Sequence, residues 1–375
     1  MLQKLVAFDT VSRNSNMALI DFAKKLLLEQ GINSRLISNK DGTKANLLAT
    51  IGPNVEGGIV LSGHTDVVPV DGQIWSTDPF VMSERDGRLY GRGTCDMKGF
   101  IAVVLAALPK ICKSELRVPV HLAFSYDEEV GCTGVRSMIE FIGQEVPKPR
   151  AVIVGEPTDM KVVTAHKGVT GVLTRVTGRE AHSSQPQLGV SAVMAASRCI
   201  EFLKGLGPRK NNRDSLFEPP HTTITVNKID GGTALNILAR QCDFYWDIRS
   251  LPNDEPTWYL DALQKFCAEI LLPDLHRISS ACNVETSILA QTPALRHEAN
   301  SDAEQLCRAL TGDNRRRAVS YAAEAGQFQE IGLSTVICGP GSINQAHQPD
   351  EYLELSQLVA GSKFIDDLIE HIRKE

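Results

Sequence analysis

The residues able to do chemistry in this chain sit at particular places. The apolar run GIVLSG (58–63) leads directly into His64-Thr65-Asp66, and GRGTC delivers Asp96 just ahead of an apolar helical stretch. VHLAFSY ends in Asp127-Glu128-Glu129, AVIVG is followed by Glu156, and STVICG is followed, after PGSINQA, by His347. Taken singly, each has an ordinary reading: a hydrogen-bonded histidine, a helix N-cap for Asp96, a solvated loop pair for Glu128-Glu129. Taken together they place imidazoles and carboxylates just beyond the carboxyl ends of apolar strands, or at a helix start beside them. That is where the ligand crevice of an open α/β sheet lies. Two imidazoles and three or more carboxylates in one crevice make a mixed nitrogen and oxygen site suited to zinc or a related divalent ion. Cations also relieve the repulsion that crowded carboxylates would otherwise suffer.

The elements that must position these groups follow from the apolar pattern. MALIDFAKKLLLEQ reads as a helix capped by Ser15-Asn16 and ended by Gly31. INSRLIS, NLLATI, GIVLSG, VPVHLAFSY and AVIVG read as strands, with helices over MKGFIAVVLAALPKIC and GVRSMIEFI. This order predicts a largely parallel sheet with helices on both faces. Beyond about residue 168 the texture changes: GVTGVLTRVTG, HTTITVNKID and QCDFYWDIRS alternate as antiparallel strands with one solvated face do. With helices over SAVMAASRCIEFLKGL and EPTWYLDALQKFCAEI and a last strand near CNVETSIL (282–289), they spell β-α-β-β-α-β, a small α+β module. From Ser301 the α/β pattern returns, closing with a helix near LSQLVAGSKFIDDLIEHI. The expected fold is therefore a discontinuous α/β domain with a mostly parallel sheet flanked by helices (1–167 and 288–375), interrupted by an inserted α+β lid of ferredoxin-like order (168–287).

Composition narrows the classes further. A length of 375 residues suits two domains at roughly 150 residues each, and 42% hydrophobic with 22% charged residues excludes disorder and coiled coil. The net charge of −6 argues against a nucleic acid or an anionic membrane surface as partner. The longest apolar run, Phe100 to Pro109, is about half what a membrane-spanning helix needs. Nine cysteines, an odd number with no CxxC pair, fit neither a disulfide scaffold nor a zinc ribbon. With no signal-peptide pattern in MLQKLVAFDTVSRN, a cytoplasmic location is expected.

The strings SGHTDVVPVDGQIWSTDPF, LYGRGTCDMKGF, SYDEEVGCTG, GEPT, HKG, GREAHSS and AHQPDEY, in this order along nearly the whole chain, resemble the dinuclear zinc amidohydrolase family. Its members include acetylornithine deacetylases, succinyl-diaminopimelate desuccinylases and carboxypeptidase G. VAFDTVSR, SYDEEVGC, VVTAHKG and CGPGSINQAHQPDEY are most similar to the acetylornithine-cleaving members. The resemblance implies two divalent ions, zinc or cobalt, bridged by Asp96 and a water. His64 and Glu156 would complete one ion's shell, and Glu129 and His347 the other's. Asp66 would orient His64, and Glu128 would be the general base. The implied reaction is hydrolysis of N2-acetyl-L-ornithine, or of a related N-acyl amino acid or dipeptide.

In the lid, Asn236 and Arg249 match residues that contact substrate in relatives, the arginine gripping a carboxylate; a surface arginine at a strand end is the alternative. His182 resembles a lid histidine that stabilises an oxyanion, in dimeric relatives across to the partner subunit, so a homodimer through the lid is expected. Gly339 permits either close approach of backbone to a ligand or an ordinary turn before His347. Glu324 is a candidate partner for a substrate ammonium, which would favour ornithine.

Overall fold

The structure, a computed structural model, describes residues 1–207, 209 and 212–374. The chain divides into two compact units. One comprises Met1–His166, Leu295–Ala318 and Ala323–Glu375, the other Lys167–Ala294 and Val319–Ala322.

The first unit is built in chain order from helix α1 (Met17–Glu29), strands β1 (Ser34–Ser38), β2 (Ala45–Ile51) and β3 (Ile59–His64), and helix α2 (Lys98–Lys113). Strand β4 (Val120–Ser125), helix α3 (Arg136–Glu145) and strand β5 (Ala151–Val154) follow. In the second unit, strand β6 (Gly168–Thr177), helix α4 (Ala192–Leu206), strands β7 (Thr223–Gly231) and β8 (Gln241–Ser250), helix α5 (Thr257–Phe266) and strand β9 (Asn283–Thr292) run in sequence. The chain returns to the first unit with helix α6 (Asp302–Thr311), strand β10 (Thr335–Ile337) and helix α7 (Leu355–Lys374).

The first unit's sheet has the order β1-β2-β4-β3-β5-β10. β4, β3, β5 and β10 pair in parallel, and β2 joins β4 antiparallel. Every residue of β3, β4 and β5 is buried, as strands covered on both faces require. Helices α1, α2, α6 and α7 bury their apolar stripes against the sheet in one continuous core. α2 approaches very closely because Gly155, just after β5, lacks a side chain. A Cβ there would lie 2.0 Å from the Phe100 ring. Helix α6 starts at Ser301, whose hydroxyl accepts from the Glu304 N–H, and stops at left-handed Gly312.

The second unit is a β-α-β-β-α-β module with sheet order β7-β8-β6-β9, all antiparallel. β6 and β8 alternate buried and less buried residues, and the buried row (Val172, Val176, Phe244, Trp246, Ile248) packs under α4 and α5. Trp246 satisfies its indole N–H on the Thr174 hydroxyl at 3.0 Å. This unit runs to Ala294, beyond the 287 read from sequence, because β9 pairs with β6 from Asn283↔Thr177 to Thr292↔Val169. Much of β9 is exposed on both faces, so no apolar alternation marks its end.

Candidate active site

Strand β3 ends on His64, and parallel β4 beside it ends on Ser125, with Gly63 opposite Phe124 and His64 opposite Ser125. The chain leaves β4 through Asp127, whose backbone is in the left-handed region at φ 55, and this turn brings Glu128 and Glu129 back beside His64. Asp96 arrives on the turn before α2, Glu156 two residues past the end of β5, and His347 on the segment after β10. All are in the first unit.

The contacts are close. His64 Nε2 lies 3.0 Å from Asp96 Oδ1, 3.6 Å from Glu156 Oε1 and 4.0 Å from Glu128 Oε2. His347 Nε2 lies 3.4 Å from Asp96 Oδ2 and 3.1 Å from Glu129 Oε2. Asp96 thus turns one oxygen to each imidazole. The His64 side chain is 1% exposed and that of His347 is 53% exposed, so the His347 half is the one open to solvent. On the other His64 nitrogen, Nδ1 meets the main-chain carbonyl of Asp66 at 2.9 Å, with the Asp66 carboxylate at 3.7 Å. That carboxylate instead accepts from the Glu128 and Glu129 N–H groups and the Ser12 hydroxyl, at 3.2, 3.3 and 2.7 Å. Asp66 therefore holds the acidic pair as well as the imidazole. Lys44, bonded to Asp127 and to the Ser12 carbonyl, secures the same turn; Lys44 carried no sequence signal, and Ser12 only its place in VAFDTVSR.

The charges do not balance. Burial, with Asp96 next, pushes the Glu156 carboxyl well above the usual range, and the same causes raise Glu129. Burial pushes Glu128 up to about 8; His64 opposes, while Glu129, Asp96 and Asp66 add to the rise. Asp96, hydrogen-bonded to both imidazoles against its burial, is held low. Burial disfavours a charge on His64, yet Glu156, Asp96 and Glu128 outweigh it and raise the imidazole well above 6.5. Four carboxyls face two imidazoles, and Glu129 Oε1 is buried with no hydrogen-bond partner among the described residues. The sets His64, Glu128, Glu156 and His64, Asp96, Glu129 each bring ligand atoms within 4.8 Å of one another. This nitrogen and oxygen donor set fits divalent cations, and cations supply the missing positive charge.

Residues 60–371 match the sequence pattern of Peptidase family M20/M25/M40. The chain belongs to this family. It is 34% identical to an acetylornithine deacetylase of Pasteurella multocida, covering 100% of this chain and 96% of that protein. The same-named protein of Proteus mirabilis is 35% identical over 97% and 92%. Human carnosine dipeptidase 1 shares the fold with a TM-score of 0.76 at 17% identity, over 100% and 96% of the two chains. So does an M20 family metallo-carboxypeptidase of Sulfolobus solfataricus, with a TM-score of 0.76 at 18% identity over 100% and 98%. As an M20 member the chain is a metal-dependent amidohydrolase.

Two candidate residues sit differently from their sequence reading. Glu324 has no exposed surface, and its oxygens accept from the hydroxyls of Ser62 on β3 and Ser125 on β4. Its carboxylate is committed to the sheet and is not offered to a substrate ammonium. Gly339 donates its N–H to the Thr158 hydroxyl at 3.2 Å, and a Cβ on it would lie 2.0 Å from the Gly155 carbonyl oxygen. Its close approach is to the strand end that carries Glu156, and its amide is not free for a ligand. In the second unit, His182 and Asn236 lie on adjoining segments, His182 bridging to Ile237 and the Ser183 N–H reaching the Asn236 carbonyl at 2.9 Å. Both are exposed, and Arg249 lies on β8 with Nε 3.7 Å from Asp247.

Proposed function

We propose that this protein hydrolyses the amide bond of N2-acetyl-L-ornithine to L-ornithine and acetate, a step of arginine biosynthesis. The observation that carries the reading is Glu128, a buried carboxylate at the edge of a mixed nitrogen and oxygen cluster, in a chain about a third identical over its full length to acetylornithine deacetylases. His64 and Glu156 would hold one divalent ion, Glu129 and His347 a second, and Asp96 both. Bound there, two ions would supply Lewis-acid polarisation of the amide carbonyl and acidify a water. Glu128 takes the proton from that water as it attacks the carbonyl carbon, then delivers it to the amide nitrogen as the C–N bond breaks. A carboxyl with raised proton affinity suits both halves of that transfer. Asp66 keeps Glu128 and Glu129 in place through their N–H groups. From the lid, Arg249 would take the substrate carboxylate, Asn236 would contact the substrate, and His182 would donate to the developing oxyanion.

The finer assignments belong to the same reading. Zinc is the resident ion we favour, with cobalt as substitute, since imidazole and carboxylate ligands suit both. The lid is the proposed homodimer contact: β7 and β9 are long edge strands that expose Ile229, Ile288 and Leu289. The nine thiols suit the reducing cytoplasm. Among the described residues no helix is long and apolar enough to cross a membrane.

The buried position of Glu324 removes one source of selectivity for ornithine, so the test is a substrate panel. Hydrolysis of N2-acetylornithine, N-acetylcitrulline, N-acetylmethionine, N-succinyl-diaminopimelate and a set of dipeptides is measured on one preparation of known ion content. The reading expects the highest kcat/KM for N2-acetylornithine. A higher value for any other member replaces the substrate, and no hydrolysis of any member by the ion-loaded protein removes the function.

A further inference from the structure

Beside the cluster lies a buried ion pair that this chemistry leaves without a role. Arg92 Nη1 and Glu351 Oε2 are 2.7 Å apart, and both side chains are 1% exposed. A buried pair by itself says little about stability; its other contacts say more. Glu351 Oε1 accepts from the N–H groups of Cys95 and Asp96 at 2.9 and 3.0 Å, and Oε2 accepts from the Gly93 N–H at 3.1 Å. The turn that delivers Asp96 is therefore wrapped around a carboxylate that belongs to the His347 segment. Arg92 also reaches the same segment directly through Gln348 and indirectly through Gln73. Its Nη1 donates to the Gln348 carbonyl at 3.2 Å, and its Nη2 donates to Gln73 Oε1 at 2.5 Å. Gln73 Nε2 in turn donates to the His347 carbonyl at 2.8 Å, and the Trp75 ring lies 4.9 Å from the guanidinium.

The two imidazoles are supported unequally. His64 is the last residue of a fully buried strand. His347 lies outside the sheets and holds a left-handed backbone, φ 64, which a non-glycine residue keeps only when its surroundings impose it. Asp96 is common to both, so the spacing between Asp96 and His347 depends on what joins their two segments. We propose that the Arg92–Glu351 pair, together with Gln73, is the positioning device that fixes His347 against Asp96 and so builds the ion site on the Glu129–His347 side. The inference rests on the centre's holding two divalent ions. Neither Arg92 nor Glu351 contacts a reacting atom in it.

The test is calorimetric titration of the ion-free protein with Zn²⁺, alongside thermal unfolding and steady-state kinetics. Glu351→Gln replaces one acceptor oxygen with an amide that opposes the Gly93 N–H and Arg92. It is expected to keep one ion at wild-type affinity, to bind the second about 10–100-fold more weakly, and to lower kcat with little change in KM. Gln73→Ala, in a loop, removes the link to the His347 carbonyl together with the acceptor for Arg92 Nη2 and the Trp75 indole N–H, and leaves the Arg92–Glu351 pair itself in place. It is expected to weaken the second ion alone with an unchanged Tm, and it decides the matter should Glu351→Gln fail to fold. Two ions at wild-type affinity in Gln73→Ala, or equal weakening of both ions in either variant, overturns the inference. Wild-type protein that takes up no Zn²⁺ overturns the proposed function instead.

Discussion

Glu128 has the environment of a proton carrier: 9% exposed, 4.0 Å from His64 Nε2, and pushed up to about 8 by burial and its acidic neighbours. Glutamine keeps its shape without its basic oxygen. Glu128→Gln is therefore expected to retain its ions while kcat falls roughly 10²–10⁴-fold, checked by elemental analysis and kinetics on the same sample; near-normal turnover would contradict the role. Gly339 offers a structural counterpart. A methyl there meets the carbonyl oxygens of Gly155 at 2.0 Å and Glu156 at 2.6 Å, both backbone atoms that cannot swing aside. Gly339→Ala is expected to cost on the order of 1–3 kcal/mol in urea unfolding and to weaken the ion held by Glu156. An unchanged midpoint would show that the two segments part easily. The residues the structure gathers, from His64 to His347, were legible because His64, Glu128, Glu129, Glu156 and His347 come after apolar runs and Asp96 comes just before one. The surroundings of Glu324 were not, since its partners Ser62 and Ser125 are 262 and 199 positions away in sequence. Nothing local records which side of a sheet such a residue will meet.

At the scale of elements, the parallel strands do two things. Their carboxyl ends present the ligands, and their opposite ends are dry. His121 shows the second property on β4: Nδ1 meets the Thr50 hydroxyl at 2.9 Å, and Nε2 is buried with no partner among the described residues. Burial pushes this imidazole down to about 4 from 6.5. The fold thus prefers the neutral ring. Above about pH 6.5 neither state carries the proton, and stability is level; as pH falls from there towards 4, the unfolded chain gains a proton that the folded chain refuses, and stability is lost. The loss approaches about 3 kcal/mol from this residue. His121→Gln keeps a partner for Thr50 without the titration, so its unfolding free energy, measured from pH 7.5 to 4, is expected to fall less than that of the wild type. Parallel slopes would contradict the assignment. The long strands and helices were readable from apolar periodicity. The ribbon of Ser83–Arg85, Arg88–Tyr90 and Tyr352–Glu354 was not, because each strand has three residues and one comes from the far end of the chain.

Across the whole molecule, the two units were legible as a change of texture, from continuous apolar runs to alternation. The junctions were less so: Val319–Ala322 returns to the second unit through four residues with no pattern of their own. The cluster draws its side chains from positions 64, 96, 128–129, 156 and 347, which meet only when the first unit is folded. Ions bound there hold the native chain and not the unfolded one, so by mass action they stabilise it, by about 2.7 kcal/mol when free ion is 100 times its dissociation constant. The most direct measurement follows Tm and hydrolysis of N2-acetylornithine on one sample as ions are stripped by a chelator and then returned by titration. Both are expected to fall on stripping and to recover together, with turnover complete at two ions per chain. Full turnover and an unshifted Tm in the ion-free protein would contradict the account.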